Sequence, residues 1–189
     1  KSKSFFIPYL LLGILPVGMF VATNVQIADG FYLPQGIGVV SEYVVPIIKY
    51  YWTGGFLDAY WYIPFVMLIF ALSPLHVYFI KMTLPAQLVT VAVLCVISML
   101  MHRPVFNLHV TQSVLYFMPV YLIGILCAIH QQTLYKRLAN KDWLLLVIAL
   151  GLAVLQAYFG DIGNYHKALF EVGGIDILFI QKIFLCLFF

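Results

Sequence analysis

A carboxylate and three aromatic side chains stand together where a long apolar run begins. They are Asp58, Tyr60, Trp61 and Tyr62, in the stretch DAYWYIPFVMLIFALSPLHVYFIK. Aromatic faces and a carboxylate suit the rings and hydroxyl groups of a sugar. They equally suit the headgroup region of a bilayer, where Trp and Tyr form an aromatic belt and a single acid is solvated. Both interpretations stay open, and both place these side chains at a membrane–water boundary.

The same run carries prolines and polar groups further along. Pro64 and Pro74 each lack a backbone donor, which neighbouring helices, side chains or water must compensate in a membrane helix. Ser73 can bond back to a carbonyl group of the preceding turn. His76 follows near the other boundary, either as an interfacial residue or as part of a binding site. Bends and polar groups together are typical of a helix that lines a cavity.

Two further sets of residues could bind metal or react, and neither has the pattern for it. His102 and His109 flank RPVFNL, but no acid or cysteine joins them, so we predict no metal site. The cysteines, Cys95, Cys127 and Cys186, all fall within apolar runs and lack C-x-x-C spacing. We interpret them as buried small hydrophobic residues.

The elements that must position these residues are those of an integral membrane protein. The chain of 189 residues is 64% hydrophobic and only 9% charged, which is far from the balance of a soluble domain. The apolar runs are long and unbroken, whereas barrel strands would alternate polar and apolar residues, so the runs predict helices. The net charge of +3 is small and spread between the runs, and nucleic-acid binding is not predicted.

We predict an all-α fold, a polytopic transmembrane helix bundle that forms one membrane domain. It has five full spans, one truncated span and one interfacial helix, with the spans at residues 5–24, 59–80, 86–101, 111–130, 142–159 and 177–189. Residues 36–52 are predicted to lie along the membrane surface, because Glu42, Pro46 and Lys49 interrupt their hydrophobicity. The alternative is a further, polar crossing there.

The basic residues predict an orientation. Most of them lie at the N-terminus, at the turn around Lys81 and in residues 131–141, and by the positive-inside rule this set is cytoplasmic. A crossing at residues 36–52 would put Lys1 and Lys3 on the opposite side from the rest of the set. The surface helix is therefore the favoured interpretation.

Three segments resemble those of one family, the membrane acyltransferase-3 family. YWYIPFVMLIFALSPL is similar to the family's segment in which a Trp-aromatic-x-Pro start runs into a Ser-Pro pair. LYFMPVYLIGILCAIH is similar to a later span that ends in a Gly-Ile pair, and KSKSFFIPYL resembles a basic motif before a proline-bearing span. Their order and spacing also fit. Since the chain starts without methionine and stops inside an apolar run, we expect it to be the middle portion of such a protein.

The resemblance implies a multi-pass O-acyltransferase of the cytoplasmic membrane, with membrane lipid around it. Such an enzyme moves an acyl group, usually acetyl, from cytoplasmic acyl-CoA to a hydroxyl group of an extracytoplasmic carbohydrate. It implies no bound cofactor, with acyl-CoA as donor substrate. The expected donor-side residues are Lys1, Lys3 and His76, and the expected acceptor-side residues are Asp58, Tyr60, Trp61 and Tyr62.

Two departures from the family pattern limit these expectations. The family's catalytic histidine lies in a span that would precede Lys1, so no catalytic residue is assigned and this chain alone is expected to be inactive. Lys1 and Lys3 stand where the basic motif has arginines, and lysine binds phosphate as a point charge instead of a bidentate donor.

Two other classes of protein remain as alternatives. A transporter or flippase domain would use bent helices and interfacial acids to line a substrate path. Its usual marker, an ionisable residue deep in an apolar span, is missing except for Lys182 in the truncated run. A structural subunit would have no site at all.

Overall fold

The computed structural model describes residues 3–23, 31–57, 59–159, 166–167 and 174–188. This part of the chain is almost entirely helical, which confirms the predicted all-α class. Its α-helices are α1 (Lys3–Thr23), α2 (Val45–Thr53), α3 (Tyr62–Ala71), α4 (Ser73–Lys81), α5 (Leu84–Met101), α6 (Val110–Ile129), α7 (Gln131–Leu138), α8 (Asp142–Phe159) and α9 (Ile177–Phe188).

Short elements of other kinds join these helices. A π-helix, Val40–Val44, leads into α2, and a 3₁₀ turn, Val105–Asn107, precedes α6. The two-residue strand β1 (Arg103–Pro104) pairs in parallel with β2 (His166–Lys167).

Helices α1, α5, α6 and α8 are each long and apolar enough to cross a membrane, and α3 and α4 pass the same test as a pair. Large apolar side chains on them point outward: Leu15 on α1 is 77% exposed and Val154 on α8 is 70% exposed. A chain folded in water would not leave so many apolar side chains open, whereas a membrane protein presents them to lipid. The helices are therefore those of a membrane protein, and the number of crossings stays a prediction.

The prolines of the opening stretch cost less than the sequence suggested. Helices α3 and α4 are separated by Leu72 and are bent by 53°. Pro64 is the third residue of α3 and Pro74 the second of α4. In the first turn of a helix the backbone N–H has no intrahelical acceptor, so proline removes no bond there. Because the chain forms two helices here, each proline lies in a first turn, where its missing N–H group needs no compensation within the helix.

The predicted surface helix at residues 36–52 begins later than expected, at Val40, and ends at Thr53. Glu42 lies at its start, where a carboxylate oxygen accepts a hydrogen bond from the backbone N–H of Gly38 at 3.1 Å. Gly54 terminates the helix in a left-handed conformation with φ of 69°. A Cβ atom at Gly54 would collide with the carbonyl group of Tyr60, so both the turn and the space require glycine. The position of this helix along the membrane surface stays a prediction.

The chain divides into two compact units. The first unit comprises Lys1–Ala71 and Phe106–Thr111, and the second comprises Leu72–Val105 and Gln112–Phe189. The first is built around an aromatic core, with the buried side chains Tyr9, Val17, Val21, Tyr32, Tyr50 and Phe56. The second contains an aliphatic core where α4, α5 and α6 meet, with Phe79, Val91, Leu122 and Leu126, and in it α9 packs along α8 and against α5.

Candidate functional site

The residues predicted on the acceptor side do not form one cluster. Asp58 lies outside the described residues. Tyr60 packs against the Phe56 ring with centroids 5.5 Å apart, and it also contacts the Tyr9 ring at 6.2 Å. It therefore belongs to the edge of the aromatic core, where it packs on other rings instead of leaving its face free for a sugar.

Trp61 and Tyr62, the next two residues, contact a different ring, that of Phe65. The Trp61 ring is half-buried and contacts Tyr62 and Phe65, with centroids 6.1 Å and 6.0 Å away. Tyr62 is 55% exposed. These two side chains present an aromatic surface at the start of α3, which suits a sugar ring or a lipid headgroup alike.

Tyrosine hydroxyl groups tie the first unit together. The hydroxyl of Tyr9 donates to the carbonyl oxygen of Tyr51 at 2.6 Å, and the hydroxyl of Tyr51 donates to the carbonyl oxygen of Leu10 at 2.9 Å. These reciprocal bonds join α1 to α2. Gly13 allows this approach, because a Cβ atom there would meet the Tyr51 ring at 2.5 Å. The two phenol groups therefore hold helices together and are not free to bind a substrate.

A second pair of tyrosines stacks beside the first. The rings of Tyr32 and Tyr50 are parallel within 6° with centroids 4.1 Å apart, and the Tyr32 hydroxyl shares a 2.8 Å hydrogen bond with the Thr53 hydroxyl. Burial raises the pKa of Tyr50 to about 12, and burial also raises the pKa of Tyr32 and of Tyr51 above the ordinary value. These phenols stay protonated near neutral pH, so they act as hydrogen-bonding groups and not as bases.

Lys49, the cation of α2, serves the same core. Its ammonium group donates to the carbonyl oxygen of Phe31 at 2.9 Å and lies over the Phe31 ring at 5.1 Å from the centroid. The ring of His109 meets Phe31 edge-on at 6.0 Å. Lys49 interrupts the hydrophobicity of residues 36–52 in the sequence, and in the structure it holds the loop before α2 in place.

Of the residues predicted on the donor side, one can be placed in a defined environment. Lys1 lies outside the described residues, and α1 begins at Lys3. His76 on α4 is only 6% exposed, and its ring lies 4.6 Å from the ring of Tyr121 on α6. Within the described chain, its Nε2 atom has no hydrogen-bond partner.

A buried imidazole with an unbonded nitrogen is costly unless something pairs with it, because desolvation of a polar atom is not repaid. In the neutral ring each nitrogen is either a donor or an acceptor, so Nε2 of His76 can bind either kind of ligand group. The arrangement therefore supplies one directional polar contact inside an apolar helix pair. This atom is the strongest candidate for ligand contact among the predicted site residues.

A second polar group, which the sequence did not single out, lies where α5, α6 and α9 meet. Asp176 is 2% exposed, and its carboxylate accepts hydrogen bonds from the Tyr116 hydroxyl at 2.9 Å and from the backbone N–H of Phe179 at 3.0 Å. Its own N–H donates to the carbonyl oxygen of Met99 at 3.1 Å. The carboxylate thus caps α9 and links three helices.

Two cations accompany this carboxylate. Arg103 lies over the Phe117 ring, 5.9 Å from its centroid, and burial lowers the pKa of its guanidinium group, with Tyr116 opposing that shift. Lys182 on α9 interacts electrostatically with both Arg103 and Asp176. Arginine stays charged in proteins in spite of such a shift, so the cluster holds two positive charges and one negative charge among the described residues.

Further buried polar side chains surround the end of α5. Gln112 donates to the carbonyl oxygens of Met101 and His102 at 3.2 Å and 3.3 Å. Its own Oε1 atom and the Ser113 hydroxyl have no partner within the described chain. Ser98 is fully buried, with its hydroxyl 2.9 Å from one carbonyl oxygen of its own helix. Of these side chains, Gln112 satisfies the carbonyl group of Met101, one of the last in α5, which have no intrahelical donor.

The two polar groups of the second unit approach α6 from different directions. His76 contacts Tyr121, and Asp176 contacts Tyr116, five residues earlier. Five residues of an α-helix correspond to about 7.5 Å of rise and roughly 140° of rotation. The two groups therefore use different faces of one helix and do not form a joint catalytic dyad.

The sequence analysis did not identify Asp176 as a helix cap. The signal was present, because an aspartate directly before an apolar run is typical of a helix N-cap. The electrostatic interaction of Arg103 with Lys182 joins residues 79 positions apart. No local pattern predicts such a contact.

Neither models of known protein families nor curated proteins nor solved structures gave a match to this chain. Among the described residues, no group of three or more His, Cys, Asp or Glu side chains is arranged to hold a metal ion.

Proposed function

We propose that this chain belongs to an integral membrane O-acyltransferase that moves an acyl group, in the simplest case acetyl, from cytoplasmic acyl-CoA to a hydroxyl group of an extracytoplasmic glycan. The resemblance of three segments to the acyltransferase-3 family suggests the reaction. The alternating polar boundaries and apolar helices are what such a reaction across a membrane requires, because donor and acceptor lie on opposite sides.

One observation carries the proposal. Two of the three resembling segments are residues 60–75, which end in the first turn of α4, and residues 115–130, which form most of α6. His76, the residue directly after the first segment, contacts Tyr121 in the second. Phe79, one turn after His76, packs with Leu122 of the same segment. The contact brings the resembling segments around a buried nitrogen atom that lacks a partner. A shared site, and not two independent anchors, explains why these segments would occur together.

The chemistry assigns His76 to positioning of the donor. Acyl transfer to a hydroxyl group needs a base and donors for the developing oxyanion. By the resemblance, the base comes from outside this chain. Nε2 of His76, toward the predicted cytoplasmic end of its span, would then bind a polar group of acyl-CoA, such as an amide or the thioester carbonyl. At the other boundary, Trp61 and Tyr62 offer ring faces to a sugar.

The test measures transfer of radiolabelled acetyl groups from acetyl-CoA to glycan in membranes that contain the full-length protein. We expect His76→Phe, which keeps a ring against Tyr121 and removes both nitrogen atoms, to raise the KM for acetyl-CoA. One lost hydrogen bond is worth about 0.5–1.5 kcal/mol, so the rise is up to about tenfold. The KM for the acceptor should change little.

His130→Phe is the matched control, because His130 is half-buried, directly follows α6 and lies outside the proposed site. If the His76→Phe variant, at normal protein level, had the same KM for acetyl-CoA as the wild-type protein, the donor-side assignment would be refuted. If membranes with abundant wild-type protein transferred no more label than membranes without it, the acyltransferase proposal itself would fail.

A transporter or flippase is the second candidate, and the break at Leu72 favours it. Broken helices expose backbone polar groups to a substrate in many transporters, and α3 and α4 are bent by 53° there. Sealed vesicles distinguish the two functions. A transporter accumulates its substrate without acyl-CoA, whereas the proposed enzyme modifies the glycan only when acyl-CoA is supplied on the cytoplasmic side.

A further inference from the structure

The exposed face of helix α2 and of the π-helix before it is entirely apolar. Every exposed side chain of residues 40–53 is aliphatic or aromatic, namely Val40, Tyr43, Val44, Ile47, Ile48 and Trp52. Their spacing of three and four residues places them along one side of the helix. On the other side, Pro46, Tyr50 and Thr53 are buried. The helix therefore has one face on protein and one face that offers apolar groups.

The two charges of this segment are bonded locally. The Lys49 ammonium group donates to the carbonyl oxygen of Phe31 at 2.9 Å and lies over the Phe31 ring. The Glu42 carboxylate accepts a hydrogen bond from the N–H of Gly38 at 3.1 Å. Both charged side chains are half-buried and lie outside the exposed set. A helix that lies on a membrane surface turns a charged face to water, and this segment has no such face.

The contacts of α2 with α1 set its depth. The Tyr51 ring lies against Gly13, where a Cβ atom would meet it at 2.5 Å. The Tyr50 ring stacks on Phe20 with centroids 5.5 Å apart. Gly13 is near the middle of Phe6–Thr23, the stretch of α1 that is long and apolar enough to cross a membrane. A helix on the surface would meet only the end of a crossing helix, whereas α2 packs beside the middle of α1.

Lipid is available at this depth. On α1, the side chains of Leu12, Leu15 and Met19 are each more than half exposed, and a helix that crosses a membrane presents such side chains to hydrocarbon. Helix α2 packs on α1 within the first unit, so its own exposed face lies at a similar depth. Hydrocarbon chains fit this face because neither of the two surfaces offers a charged group.

We propose that the exposed face of α2 contacts the hydrocarbon chains of the lipid. The helix is then embedded in the membrane beside α1, instead of lying along the surface as the sequence predicted. Residues 40–53 extend over at most about 21 Å at the usual helical rise, which is less than the roughly 30 Å of the hydrocarbon core. The segment therefore does not cross the membrane by itself. The inference depends on the crossing of α1 and not on acyl transfer.

The turn after α2 fits that environment. Irregular backbone at membrane depth is tolerated where protein covers it. Gly54 is buried, and its N–H donates to the carbonyl oxygen of Tyr50 at 2.8 Å. Phe56 is only 3% exposed, and its ring packs on the Tyr9 ring with centroids 5.4 Å apart. The chain thus leaves α2 with other parts of the first unit around it.

Spin labels measure this depth directly. In phosphatidylcholine vesicles that contain the full-length protein without its native cysteines, Ile48→Cys, Leu15→Cys and Lys136→Cys each carry one label at an exposed position of α2, α1 or α7. Collision rates with oxygen, which concentrates in hydrocarbon, and with a water-soluble nickel chelate give the depth of each label. We expect the label at position 48 to collide with oxygen and to exclude nickel, as the label at position 15 does. The label at position 136 should collide with nickel.

Three results would overturn the proposal. A label at position 48 that meets nickel as readily as the label at position 136 would place α2 in water. A label at position 48 that meets neither oxygen nor nickel would show that protein covers the face. A label at position 15 that meets nickel would show that α1 does not cross the membrane.

A charge on the same face gives a second test that needs no label. Ile48→Asp should lower the unfolding temperature of the full-length protein in phosphatidylcholine nanodiscs, because a carboxylate in hydrocarbon is costly. Ile48→Leu keeps the face apolar and should leave that temperature unchanged. Tyr135→Asp, at a 70% exposed position of α7, is the control for added charge and should also change little. An Ile48→Asp variant as stable as the wild-type protein would contradict the embedding of α2.

Discussion

The two units of the chain use polar side chains in opposite ways. In the first unit the hydroxyl groups of Tyr9, Tyr51 and Tyr32 bond within the unit. In the second unit, the described residues include a buried imidazole nitrogen, on His76, and a buried hydroxyl group, on Ser113, that have no partner. The first unit contains the aromatic residues that most suggest sugar binding, but many of them pack into its core. The second unit has the sequence of ordinary apolar spans, yet its described residues include these buried polar groups without hydrogen-bond partners.

The difference follows from what each kind of side chain costs in an apolar environment. A phenol satisfies its single hydroxyl group by reaching one carbonyl group at a helix end, and its ring adds packing energy. An imidazole or a carboxylate needs more partners, and an unmet need costs about 1–3 kcal/mol. Burying a tyrosine in an apolar core therefore costs little free energy, whereas buried ionisable residues in a membrane call for a functional explanation.

The largest expected effect tests whether the aromatic cluster is a core. Tyr50 is 1% exposed and stacks on Tyr32 at 4.1 Å, so Tyr50→Ala should destabilise the protein by roughly 3–5 kcal/mol through the cavity it leaves. Thermal unfolding in detergent measures this. Trp52→Ala, at a 53% exposed residue of the same helix, should cost far less, and equal losses for the two variants would show that the cluster is not a packed core.

The next effect tests the cap in the second unit. Asp176→Asn removes the charge but keeps the shape, so the Tyr116 hydroxyl and the Phe179 N–H lose a carboxylate acceptor that each contacts at about 3 Å. Bonds to a charged group are worth about 1.5–3 kcal/mol, and we expect destabilisation of that size. Asp142→Asn, in the exposed first turn of α8, is the matched substitution and should cost less than about 1 kcal/mol. An Asp176→Asn variant as stable as the wild-type protein would contradict the role of this carboxylate as a cap.

A smaller effect tests the tie between α1 and α2. Tyr51→Phe removes the hydroxyl group that donates to Leu10 and should cost about 1 kcal/mol of unfolding free energy. Tyr78→Phe, at a 65% exposed position on α4, serves as the control. The tie would be unsupported if the two variants unfolded at the same temperature.

A further effect is a pH dependence of stability to which Tyr50 contributes. Burial raises the pKa of Tyr50 to about 12 in the folded state, above the ordinary tyrosine value of about 10. The unfolded chain therefore loses this proton first, and between about pH 10 and pH 12 stability falls as pH rises, while below pH 10 this group has no effect. Thermal unfolding across that interval should show the decline, and Tyr50→Phe should reduce it. A decline of the same slope in that variant would assign it to other groups.

The helical class was predictable because it depends on composition and on the length of apolar runs, which are local properties. The break between α3 and α4 was only half predictable. Pro64 and Pro74 indicated that the helix would bend. The sequence does not show that one helix would end at Ala71 and another begin at Ser73. That outcome depends on where the backbone can turn, which tertiary packing decides.

The candidate site was less predictable than the fold. His76 was singled out from its place near a boundary, but its contact with Tyr121 joins residues 45 positions apart. The cluster of Arg103, Tyr116 and Asp176 joins residues from three connections or helices, and only the N-cap position of Asp176 leaves a local trace. Contacts that depend on helix packing have no signature in the spacing of the residues that make them.

The proposed function requires the chain to cross a membrane with α7 on the cytoplasmic side, and cysteine accessibility tests this most directly. In a variant of the full-length protein without native cysteines, Lys136→Cys places a thiol on α7, and Phe106→Cys places one at a 59% exposed position between α5 and α6. A membrane-impermeant maleimide added to intact cells should label position 106 and miss position 136, and inverted vesicles should give the reverse. Labelling of position 136 from outside intact cells, with position 106 protected, would contradict the orientation.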